Sequence, residues 1–180
     1  MHGMAIDLSL KGLENGIRLM VPLLLLGVLF LFSVTALPWS LVGAVKPQLV
    51  LVAIYYWAIY RPTLVPPSLC FVVGLMIDII SGLPLGLNAV VLTLIQWVVR
   101  DQRQFLMAQA YFTIWAVFIL VGFSALFLEW GMFGLVQMVW PPVLPVILSA
   151  TATVLLFPVI TFFLVLTHRI LPITQTPYDK

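Results

Sequence analysis

Six apolar stretches run along the chain at 19–37, 48–60, 64–81, 85–99, 106–128 and 143–167, separated by short breaks rich in proline, glycine or charge. A helix needs about 20 apolar residues to cross a ~30 Å hydrocarbon core. The first, fifth and sixth stretches meet that length. The second, over 48–60, rises only about 20 Å as a helix, so it must borrow from 41–45, let Lys46 snorkel, or sit where the bilayer thins. Gly82-Leu83-Pro84 joins the third and fourth stretches, a link so brief that the two helices must be antiparallel. Residues 100–104 form the one clearly polar loop, and 129–142, with Trp130, Trp140 and Pro141-Pro142, reads as a short interfacial segment. Pro158 removes an N–H inside the sixth stretch and predicts a kink. Ahead of the first stretch, Asp7, Lys11, Glu14 and Arg18 recur three or four apart among Ile6, Leu10, Leu13 and Ile17. That is the pattern of an amphipathic helix on a membrane surface.

Composition turns this pattern into a class. Hydrophobic residues make up 63% and charged residues 8% of the chain, against about 45–50% and 25% in soluble domains. The expectation is an all-α integral membrane protein: an amphipathic segment over 1–18, one six-span transmembrane domain over 19–169, and a polar tail over 170–180. Lys and Arg favour cytoplasmic loops. With six spans and both termini cytoplasmic, Lys11, Arg18, Arg61, Arg100, Arg103, Arg169 and Lys180 lie inside and Lys46 alone lies outside. Omitting the short second span worsens this split. Trp39, Trp130 and Trp140 then fall at the outer interface and Trp57 and Trp97 at the inner one, with Trp115 as the exception. Lys11, Arg18 and Val34-Thr35-Ala36 around the first stretch also fit a secretory signal peptide, but a retained first span is expected. The scattered basic residues form no stripe for nucleic acid. The lone Cys70 excludes a disulfide framework and lacks the neighbours a metal site needs.

Of the six acidic residues, only Asp78 lies deep inside an apolar stretch. It follows Leu64 by about 21 Å of helical rise, roughly two-thirds of the way to the outer face of the core. An ionised Asp at a helix centre costs about 2.5–3.5 kcal/mol, so this carboxylate should face protein. Gly74, Asp78 and Gly82 stand four apart, with Phe71 three before Gly74, which puts all four on one side of the third helix, against a neighbour. Asp78 could serve a proton or ion relay, or a contact completed by a partner's span. Alternatively it ties the turn, accepting backbone N–H groups near Gly86, Leu87 and Asn88 at the start of the fourth helix. The tie is favoured, because relays usually show several intramembrane ionisable groups. Asn88 and Gln96 read as interhelical glue. His2 and His168 are terminal and span-end residues, and Ser68, Ser81 and Ser124 have no reachable His and Asp. No catalytic activity and no cofactor are expected.

The run Phe71-x-x-Gly74-x-x-x-Asp78-x-x-x-Gly82-x-Pro84-x-Gly86 follows a Pro-Gln-Leu-Val-Leu-Val at 47–52 and Tyr55-Tyr56-Trp57. In this order the residues resemble the rod shape-determining membrane protein MreD family, specifically over 37–92. Gln48 departs from it, standing where the family often has Asp or Asn. The resemblance implies a multi-pass protein of the bacterial inner (cytoplasmic) membrane without activity of its own. It implies a scaffold in the elongasome, the complex that carries out peptidoglycan synthesis and sets rod cell shape. Its partners would be MreC, the penicillin-binding transpeptidase, RodA and MreB, directly or indirectly, together with membrane lipid and no nucleic acid. Phe71, Gly74, Asp78, Gly82, Pro84 and Gly86 would be its structural or partner-binding residues. The hydropathy is also similar to that of substrate-binding subunits of vitamin transporters, so the alternative is a small-molecule or lipid-precursor carrier with a cavity near Asp78. Ser149, Thr151, Thr153 and Thr161 are the polar positions that favour the carrier. They are equally common in ordinary helix contacts, and the scaffold is preferred.

Overall fold

A computed structural model describes residues 23–33 and 45–170, with side chains to Leu166. The expected amphipathic segment, the polar tail and Trp39 lie outside the described residues. Every regular element among those described is a helix: α1 (Leu23–Ser33), α2 (Leu49–Tyr60), α3 (Pro67–Ser81), α4 (Leu87–Asp101), α5 (Arg103–Met107), α6 (Tyr111–Gln137) and α7 (Val143–Ile170). Six of these correspond to the six apolar stretches. The short α5 takes up part of the expected polar loop, and its buried Leu106 belongs to it and not to the fifth stretch. α6 therefore starts at Tyr111 and runs on to Gln137, absorbing most of the segment expected to be interfacial. Gly131 and Gly134 do not stop it, because with no water to take over the backbone bonds an apolar segment stays helical.

α6 and α7 are each long and apolar enough to cross a membrane. Among the described residues the surface is as apolar as the core, and a few polar groups lie inside. Asp78, Asn88, Gln96 and Thr153 are buried, whereas Phe112, Leu120, Phe162, Ile79 and Trp97 are among the large apolar residues left exposed. Water would penalise such a surface, and a bilayer would not.

α2 sits at the centre. Val50 through Ile59 are all buried, packed against α4, α5 and α7, as suits a helix that is apolar all round. Its rise of about 18 Å is thus matched to protein and not to lipid, which removes the mismatch that its length predicts. Trp57, expected at the inner interface, is fully buried because α2 is wrapped on every side. The backbone just before and at the start of α2 is satisfied by hydroxyls from α1 and α7. Ser33 Oγ accepts the N–H groups of Leu49 and Val50 at 3.0 and 3.3 Å. Thr153 Oγ1 accepts that of Gln48 at 3.0 Å, and Ser149 Oγ that of Lys46 at 3.1 Å. Tyr55 donates its hydroxyl to Ile114 O at 2.9 Å, fastening α2 to α6.

α7 runs through Pro158. The missing proline N–H leaves the carbonyl of Val154 without its helical donor, and Trp115 Nε1 donates to that oxygen at 3.2 Å. Trp115, the tryptophan that fits neither interface, is the partner of the proline that interrupts the helix.

Candidate functional site

The α3–α4 turn is built on one aspartate used twice. α3 ends in a Schellman arrangement in which Leu83 N–H reaches Asp78 O at 3.0 Å and Gly82 N–H reaches Ile79 O at 3.4 Å. Gly82 takes φ 65° and Gly86 φ 96°, values that strain any residue with a Cβ. Between them Pro84 accepts the N–H of Leu87 at 3.3 Å. This path carries the first turn of α4 back over the carboxylate of Asp78. Oδ2 accepts Gly86 N–H at 3.0 Å, and Oδ1 accepts both Asn88 N–H at 3.0 Å and Asn88 Nδ2 at 2.9 Å. Of the backbone donors expected from the sequence, Gly86 and Asn88 are used. Asp78 is fully buried, and its carboxyl oxygens face the positive end of α4.

Gly74, one turn earlier, lets the two backbones touch. A Cβ there would overlap Ala89 Cα and N and lie 2.7 Å from the carbonyl carbon of Asn88. Gly74, Asp78, Gly82, Pro84 and Gly86 therefore converge on one junction. Phe71 does not, and here the expectation of a shared buried side is corrected: it is 44% exposed. The buried row of α3 is Cys70, Gly74 and Asp78, which follows the i±4 ridge slanting across the helix axis and leaves Phe71 outside. Farther along α4, buried Gln96 donates Nε2–H to Val65 O at 3.1 Å in the α2–α3 link. Asn88 and Gln96 thus both tie elements together.

Next to this junction lies a cavity of about 310 Å³. Ser33 ends α1 and Ser81 ends α3, while Gln48 precedes α2, Asn88 begins α4 and Ser149 lies in the second turn of α7. These lining residues show that the helices alternate in direction and that the cavity occupies one end of the bundle. Lys46 is at that end, and Arg61, Arg100 and Arg103 lie at the other. Glu129, expected at a span end, is instead inside α6 and accepts a hydrogen bond from Gln48 Nε2. This pair was not singled out from the sequence. The signal that could have found it is the continuation of apolar residues past Glu129, through Met132, Phe133, Leu135 and Val136, which makes Glu129 a second carboxylate within an apolar helix.

Ser149, Thr151, Thr153 and Thr161 are all occupied. Ser149 and Thr153 accept the backbone ahead of α2. Thr161 meets Tyr111 Oη at 2.7 Å, and Thr151 bonds back to Ile147 O. No curated protein and no solved structure matches the chain. Residues 14–167 match the family described as rod shape-determining protein MreD. That span contains both the glycine-aspartate junction and the helices around it, and the chain belongs to the MreD family.

Proposed function

We propose that the protein is a non-catalytic six-span scaffold of the cell-elongation machinery in the bacterial inner membrane, and that it binds MreC and, through it or directly, the transpeptidase, RodA and MreB. The observation that carries this reading is the engagement of Asp78, Asn88, Gln96, Ser149 and Thr153 in ties between elements, an arrangement suited to holding a surface in place. The carrier reading draws on the cavity, but the hydroxyls it would use already hold the start of α2. In this proposal the end bearing Arg61, Arg100 and Arg103 is cytoplasmic and the cavity end is periplasmic.

The partner surface is placed on α3. This helix packs chiefly against α4 and turns Phe71, Val72, Met76, Ile79 and Ile80 outward. Gly74, Asp78, Gly82, Pro84 and Gly86 then act by fixing α3 on the bundle, and Phe71 acts by contact. The test is affinity purification of the tagged chain from native membranes, wild type and Phe71→Ala in parallel, with mass spectrometry of what accompanies it. MreC with the wild type and its depletion with the variant is the expected result. Recovery of ATP-binding cassette subunits or a bound small molecule, without any wall-synthesis protein, would overturn the scaffold in favour of the carrier.

A further inference from the structure

Ser33, Asn88 and Ser149 on the wall of the cavity tie helices together, but the scaffold reading gives the space they enclose no role. Its chemistry is uneven. Gln48 donates Nε2–H to Glu129 Oε2. The other end, Gln48 Oε1, is buried and has no donor among the described residues. An unpaired buried acceptor is destabilising, and this one stands beside a carboxylate. No neighbouring group among the described residues donates to it: Ser33 and Ser149 accept backbone N–H groups, and the Asn88 amide donates to Asp78. Lys46 is an exposed cation on the same lining, and the rest of the wall is largely apolar, with Leu51, Leu92, Leu126 and Phe133.

An ammonium at Glu129 and Gln48 with an anion at Lys46 describes a zwitterion on an apolar stem. We propose that this cavity binds the phosphoethanolamine-type head group of a membrane amphiphile, whose primary ammonium donates to the Glu129 carboxylate and Gln48 Oε1 while its phosphate meets Lys46. A primary ammonium has N–H groups for both acceptors, whereas a trimethylated one has none. The volume of about 310 Å³ lies at the lower end of the range for small-molecule sites and suits a head group more than a whole lipid. This inference does not depend on which proteins the scaffold binds.

The test is native mass spectrometry of the purified full chain with chain-matched phosphatidylethanolamine, phosphatidylcholine and phosphatidylglycerol. The expected result is retention of phosphatidylethanolamine about tenfold above the other two, a difference of about 1.4 kcal/mol. Glu129→Ala should abolish that preference, and Lys46→Ala should lower retention of all three lipids by removing the partner of their shared phosphate. Because the Lys46 side chain is exposed, its variant keeps the wild-type melting temperature and separates loss of binding from loss of folding. Equal retention of the three lipids by the wild type, a preference unchanged in Glu129→Ala, or retention unchanged in Lys46→Ala would overturn the proposal. Displacement of the bound lipid by free phosphoethanolamine would assign recognition to the zwitterion itself. Binding of the free compound with no lipid retained would support the same chemistry with a soluble source.

Discussion

The α3–α4 hairpin brings backbone against backbone at Gly74 and closes through the turn at 82–86, whereas α6 and α7 meet through large side chains and are joined by 138–142. In the second hairpin Phe118 stacks on Phe157 with ring centroids 4.4 Å apart. Tyr111 reaches Thr161, Trp115 reaches Val154 O, and Trp130 Nε1 donates to Pro141 O at 3.0 Å. Its adhesion is spread over several separate contacts, each worth about 0.5–1.5 kcal/mol. The first hairpin concentrates its adhesion in one glycine contact and one carboxylate. Concentration makes α3 precise and vulnerable, while distribution makes α6–α7 tolerant. Since α3 packs chiefly on α4, whatever loosens that junction releases the whole outward face of α3.

The largest effect should come from Gly74→Val. The added side chain meets the backbone of Ala89 and Asn88, which cannot yield without moving α4, and overpacking of this kind costs about 3 kcal/mol. Thermal unfolding in detergent should fall well below wild type, and a variant that melts like wild type would show that the two helices are not in backbone contact. Next comes Asp78→Leu. It strands the N–H groups of Gly86 and Asn88 and the Asn88 amide, and hydrogen bonds to a charged group are worth about 1.5–3 kcal/mol. Purified protein should lose thermal stability in the absence of any partner. Unchanged melting combined with lost MreC capture would move Asp78 from the junction to an interface.

The first hairpin was legible in the sequence because its determinants are local. Asp78 and its donors are 8 and 10 residues apart, and glycine at φ > 0 on either side of a proline marks a turn whatever surrounds it. The count of apolar stretches was legible for a similar reason, since length and composition do not depend on neighbours. The burial of α2 was not. A helix that is apolar all round reads alike whether it faces lipid or protein, and what encloses α2 comes from far along the chain: Lys46 meets Ser149 across 103 positions and Gln48 meets Glu129 across 81. Trp57 and Glu129 were misplaced for that reason. Phe71 was misplaced by a finer effect, the slant of the packed row across α3.

The distributed character of α6–α7 can be tested at the bond between Trp115 and Val154 O. Trp115→Phe removes the side-chain hydrogen bond that reaches the carbonyl facing Pro158, at a cost of about 1 kcal/mol. Pro158→Ala restores an N–H four residues on, so in the Trp115→Phe background it should recover stability that it does not add to the wild type. A double-mutant cycle with no coupling would show that the tryptophan and the proline act independently.

The smallest effect on stability, and the one that separates holding a surface from being that surface, is expected from Phe71→Ala. Phe71 belongs to the run that carries the family resemblance, yet it is 44% exposed on a helix whose buried row passes beside it. If α3 is positioned by Gly74 and Asp78 so that its outward side can meet a partner, the junction variants should lose folding and partner together. Phe71→Ala should instead melt within about 0.5 kcal/mol of wild type and lose the partner alone. Side-by-side melting and MreC capture for Gly74→Val, Asp78→Leu and Phe71→Ala resolve the two roles. Full capture by Phe71→Ala would remove this phenylalanine from the contact, and a melting loss as large as that of Asp78→Leu would place it within the junction.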